Sequence, residues 1–160
     1  MVFLLLAQAL AAEPVITAQT DGSIVGTTAI AASPEAVRAL LADPVACGTL
    51  SPDILSVTVT PAGKCSMVDV VSRGAWNPLK WRSLRCPTAD GWRDDLVSSD
   101  DLQAMHSEWH VVAAADGTTT VEYRTNTQVS LAGVPASLIH QGMMQSAKTT
   151  LVRLVERVVP

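Results

Sequence analysis

The pattern running from Thr118 to Val158 constrains the fold more than any other part of the chain. It reads as a strand, Thr118 to Val129, a break at Ala132, Gly133, Val134 and Pro135, and a long helix. Ala136, Ile139, Met143, Ala147, Leu151, Leu154 and Val158 recur at steps of three and four, which sets them on one helical face. Gln141, Gln145, Lys148 and Glu156 fall on the other. A helix of about 24 residues is roughly 36 Å long, enough to cross a whole domain, and its apolar face needs a sheet to lie on.

The rest of the chain supplies that sheet. Ser23 to Ala31 reads as a first strand, and Ser33-Pro34-Glu35 as a helix start with Ser33 as N-cap and Pro34 in the first turn. Asp43-Pro44 restarts a second short helix toward Leu50. Six strands then follow in series: Ile54 to Pro61, Lys64 to Arg73, Leu79 to Pro87, Trp92 to Ser99, Ala104 to Ala114 and Thr118 to Val129. Turn residues such as Ala62-Gly63, Asn77-Pro78, Asp90-Gly91 and Asp116-Gly117 separate them. The loop Ala115-Asp116-Gly117 fixes the last hairpin, so that Glu108 faces Arg124 on the wet side and Trp109 faces Tyr123 on the side of Met105, Val111, Val121 and Thr125. That inner face is either an ordinary core or the wall of a pocket.

Length suits a single domain with a real core. The net charge of -4 and the scattered basic residues exclude a nucleic-acid footprint. Hydrophobic residues make up 48 % against 16 % charged, so some apolar surface should face a ligand or the apolar segment at the start of the chain. That segment, Val2 to Ala12, is too short to span a bilayer, and its small residues before Glu13-Pro14 resemble the end of a secretory signal. Residues 1–12 are therefore expected to be a signal peptide or an apolar arm, and Ala12 to Thr20 a loose terminus. Export would place the protein in the periplasm or outside the cell; otherwise it is cytoplasmic.

Cys47, Cys65 and Cys86 match no metal-ligand spacing, and no metal or cofactor is expected. Pairing the strands around Gly74-Ala75-Trp76-Asn77-Pro78 sets Cys65 opposite Cys86, Asp69 opposite Arg82 and Met67 opposite Leu84. Two readings of the cysteines stand, a disulfide or two free thiols packed as small hydrophobes. His106 and His110 read as solvated surface beside Glu108, and Asp94, Asp95, Asp100 and Asp101 as solvated carboxylates flanking a turn. No GxSxG, Walker loop, GxGxxG or HExxH is present, so any acid or base would come from His140, Tyr123 or Asp69.

Three stretches carry a resemblance. "GTTAIAASPEAVRALL" (Gly26 to Leu41) is similar to the opening strand and SP-initiated helix, "WNPLKWR" (Trp76 to Arg82) to the strand-entry motif, and Val121 to Val158 to the final strand, proline and helix of the START-like superfamily, also called SRPBCC. The likeness covers residues 22–158, with Trp76-Asn77-Pro78 where the family writes Pro-Trp-Pro, and Trp81 where it has an acid or amide. The resemblance implies an α+β helix-grip fold: a curved antiparallel sheet of about seven strands wrapped around a long C-terminal helix, with two short helices after the first strand. It also implies a cavity between sheet and helix that binds or carries a lipid, sterol, quinone or polyketide-like molecule. Its expected walls are Trp81, Met105, Trp109, Val121, Tyr123 and Thr125 from the strands, with His140, Met143, Met144 and Ala147 from the helix. A protein-interaction module and a cyclase or dehydratase are the alternatives. The expected partner is a hydrophobic small molecule, with transient membrane contact left open.

Overall fold

Local signals set the helix starts. Ser33 accepts a hydrogen bond from the Ala36 amide (3.2 Å) at the head of α1 (Pro34–Ala42), and Asp43 does the same for Val45 (2.9 Å) at α2 (Pro44–Gly48). The computed structural model describes residues 12–129 and 131–159. The expected signal segment lies outside the described residues except for Ala12.

The strands are β1 (Val15–Ala18), β2 (Ile24–Ile30), β3 (Ile54–Ala62), β4 (Cys65–Ser72), β5 (Leu79–Pro87), β6 (Gly91–Ser99), β7 (Leu102–Ala113) and β8 (Thr119–Val129). They form one antiparallel sheet in the order β1-β2-β8-β7-β6-β5-β4-β3, curved around α3 (Ala136–Val158). β1 is a correction to the expected loose terminus. Val15 to Ala18 pairs with Thr27 to Ile24, because the backbone of β2 would otherwise leave a sheet edge unpaired beside α3.

The last hairpin has Glu108 opposite Arg124 and Trp109 opposite Tyr123, with Gly117 at φ +83° making the left-handed turn. β4 and β5 pair with Asp69 opposite Arg82, and Cys65 and Cys86 are joined in a disulfide with Cα atoms 4.4 Å apart.

The interior divides in two. At one end, Ile30, Val37, Leu41, Leu50, Val111, Val121, Leu151 and Leu154 pack with no solvent exposure under α1 and the C-terminal half of α3. Gly26 lets α3 come down on β2, since a Cβ there would stand 2.6 Å from Leu151 Cδ1. At the other end, the N-terminal half of α3 does not reach the sheet. Ala136, expected on the buried face, is exposed there.

Candidate functional site

The gap beneath the first half of α3 is a cavity of about 530 Å³. Its walls come from inward positions of β3 to β8, from α2, from Arg73-Gly74-Ala75 after β4, and from a stripe of α3. Of the expected residues, Trp81, Met105, Trp109, Tyr123, Thr125, Met143 and Ala147 stand in these walls. Three do not. Val121 is two residues too far toward the closed end and is fully buried in the core. On α3 the lining stripe is Leu138, Ile139, Gly142, Met143, Ser146, Ala147 and Thr150. At about 100° per residue, His140 and Met144 rotate off its edge, which corrects their expected place.

Strand register places one polar row across this apolar wall. Arg85 pairs with Asp94, Asp94 with Ser107, and Ser107 with Thr125, on four adjacent strands. All four side chains line the cavity. The neighbouring row toward the core is aromatic: Trp92 opposite Trp109 opposite Tyr123, with the Trp109 and Tyr123 rings stacked at 4.4 Å. The polar row is therefore the floor of the cavity, set where filled core gives way to void.

Arg85 is 6 % exposed. Its Nη1 donates to Asp94 Oδ2 at 2.5 Å, and its Nη2 to the Leu41 carbonyl at 2.8 Å and toward Cys47 Sγ at 3.6 Å. Trp92 lies under the guanidinium, 5.7 Å from ring centre to Cζ. Nε is buried and has no partner among the described residues. Further along the row, the Ser107 and Thr125 hydroxyls are 3.1 Å apart, and Thr125 reaches Thr127 at 3.3 Å. Burial pushes the Asp94 carboxyl above its usual range against the pull of Arg85, raises the Tyr123 phenol, and carries the Cys47 thiol up to about 11.

Asp94 corrects the expectation of a solvated carboxylate, while its neighbour Asp95 is 45 % exposed and Asp100 is exposed, as expected. Arg85 and Asp94 were missed, although the hairpin around Asp90-Gly91 sets them opposite one another, by the same reading that pairs Trp109 with Tyr123. Asp69 lies on the outer face with Arg82 at 2.7 Å, away from the cavity. His106 and His110 are also outside. Their Nδ1 atoms meet Asp95 (2.6 Å) and Asp90 (2.9 Å), while Glu108 lies between the rings. Among the described residues, no helix is long and apolar enough to cross a membrane.

No protein-family model and no curated protein sequence matches the chain. Solved structures do. A START superfamily protein from Mycobacterium smegmatis superposes with a TM-score of 0.73 at 16 % identity, covering 85 % of this chain and 96 % of the other. The Zhui aromatase/cyclase of Streptomyces sp. R1128 gives 0.66 at 16 %, covering 85 % and 90 %. Human StAR-related lipid transfer protein 5 gives 0.68 at 10 %, covering 92 % and 86 %. A sheet in this strand order, two short helices after its opening strands and a terminal helix over a cavity thus make this chain a START-like helix-grip fold.

Proposed function

We propose that the chain binds one small apolar molecule in the cavity beneath α3 and carries it. The observation that supports this reading is the wall itself: about 530 Å³ of space, within the range of small-molecule sites, lined by Val, Leu, Ile, Met and Trp with its floor polar groups gathered in one row. Covering about 300 Å² of apolar ligand surface there contributes roughly 7 kcal/mol before the costs of association, so few polar contacts are needed. Met143 and Met105 suit a carrier because thioethers repack around differing shapes. Of the three groups expected as acid or base, only Tyr123 is in the cavity. Binding without turnover is the simpler activity.

Leu138, a wall residue, is 56 % exposed, and Trp76, 78 % exposed, directly follows the wall residue Ala75. These fit a brief contact with a lipid surface at which cargo is collected or released. The Cys65–Cys86 bridge fits an oxidising compartment, periplasmic or extracellular.

Two measurements test the proposal. Native mass spectrometry of the protein purified from its own source should show a bound small molecule that leaves on collisional activation. The emptied protein should then bind the neutral fluorophore N-phenyl-1-naphthylamine at one site, with quenching of tryptophan emission from Trp81 and Trp109. A bare mass together with no fluorophore binding would remove the proposal.

A further inference from the structure

The charged groups in the cavity wall differ in what holds them. Arg85 and Asp94 are joined to each other on the floor, and Arg85 is 6 % exposed. The other two, Arg73 and Asp53, stand where β4 runs out against the start of β3. The Arg73 amide donates to the Asp53 carbonyl at 2.7 Å, which continues the ladder one step past Ser72 opposite Ile54 and fixes both backbones. Their side chains are not joined. Among the described residues, Arg73 enters no ion pair and no side-chain hydrogen bond. Arg73 is exposed while Asp53 is half-buried, and the wall residues Ala75 and Leu138 are exposed as well. The guanidinium therefore stands at the rim, where apolar wall meets water, with its five donors uncommitted.

We infer that the cargo is an amphiphile whose carboxylate end is held at the rim by Arg73 while its apolar body fills the cavity. The inference rests on the reading of the cavity as a ligand site and narrows the ligand class. A charge carried down to the floor would lose its hydration. One left at the rim keeps part of it and gains a forked, charge-assisted pair of hydrogen bonds from the planar guanidinium. Asp53 works against the same head, but its carboxylate is on a short, half-buried side chain. Arg73 has the longer and more exposed side chain with which to meet a head group that stays in water.

Equilibrium dialysis of the intact protein at pH 8 against decanoate, 1-decanol and decylammonium, each below its micelle threshold, compares three heads on one body. Decanoate should bind more tightly than decylammonium. Arg73→Gln should lower the ratio of decanoate to decanol affinity about fivefold, the effect of one exposed, well-aligned ion pair. Decylammonium binding as well as decanoate, or a ratio unmoved by Arg73→Gln, would overturn the inference and leave the cavity reading intact. So would an equal fall in Arg93→Gln, whose exposed guanidinium meets Asp95 on the outer face, since the effect would then be net charge alone. Arg73→Glu should place decylammonium ahead of decanoate, and an unchanged order would overturn the inference. Arg73 is exposed, so neither substitution disturbs the core. Failure of the three chains to bind while N-phenyl-1-naphthylamine does overturns the inference alone; failure of all four overturns both.

Discussion

The Cys47 thiol has an arginine within 3.6 Å, an arrangement that usually lowers a thiol pKa, yet burial outweighs it and raises the value to about 11. At pH 8 iodoacetamide should leave the native protein unmodified. Unfolding in guanidinium without reductant should add one adduct, at Cys47, and reduction should add those at Cys65 and Cys86; intact mass reads each step. Adducts at Cys65 and Cys86 before reduction would show that the bridge is absent in solution. On the outer face, the hydrogen bonds from Asp95 and Asp90 hold the His106 and His110 pKa values above the ordinary 6.5. A raised folded value means the charged imidazole favours the native state. This stabilisation is fully present below about pH 6.5 and is lost as pH rises through the raised values. Asp90, lowered by His110, works in the other direction and loses its share only as pH falls below the carboxylate range. Both imidazoles are more than a third exposed, so each is worth at most about 1 kcal/mol. Urea unfolding at pH 5.5 and 8.5 should show a fall in stability for the wild type that shrinks in His106→Gln with His110→Gln.

At the scale of elements, the β4–β5 hairpin is closed by a bridge between residues 21 apart. Restricting a loop of that length in the unfolded chain is worth about 3 kcal/mol. Cys65→Ser with Cys86→Ser should lower the unfolding free energy by about that amount in urea titration, while N-phenyl-1-naphthylamine binding at low temperature persists, since neither cysteine lines the cavity. The hairpins were legible because register follows from turn chemistry and period two alone. Gly117 in a three-residue loop was enough to pair Trp109 with Tyr123. The same logic reaches Arg85 and Asp94, but charged residues near a turn read as solvated until the next two strands are laid beside them. Burial of Asp94 depends on Ser107 and Thr125, brought alongside by separate hairpins. β1 was illegible for a related reason. Val15 to Ala18 is too short for period two to stand out, and it is held by the pairing groups of β2 and by α3 rather than by its own pattern. His140 and Met144 show the limit on helices, where one residue is about 100° of rotation and the edge of an apolar stripe is set by what it faces.

Across the whole molecule, stability and void are placed at opposite ends of one helix. Leu151 and Leu154 lie in the sealed core, while Gly142, Met143 and Ser146 roof the cavity earlier on α3. A packed core loses about 2–5 kcal/mol when a buried leucine is cut to alanine, because contacts vanish and a hole remains. Where the native state already holds the hole, adding atoms strains nothing. A Cβ on Gly142 meets no heavy atom within 4 Å, and glycine inside a helix is itself unfavourable by about 1 kcal/mol relative to alanine. The two ends should therefore separate experimentally. Gly142→Phe should keep or slightly raise the urea midpoint, yet weaken N-phenyl-1-naphthylamine binding about tenfold or more by filling the space beneath the roof. Leu151→Ala should lower the midpoint sharply and still bind the fluorophore under conditions where it remains folded. If Gly142→Phe binds as the wild type does, the fluorophore sits elsewhere and the cavity is not the site. If both variants lose stability together, the roof of the cavity and the core beneath the end of α3 pack as one unit.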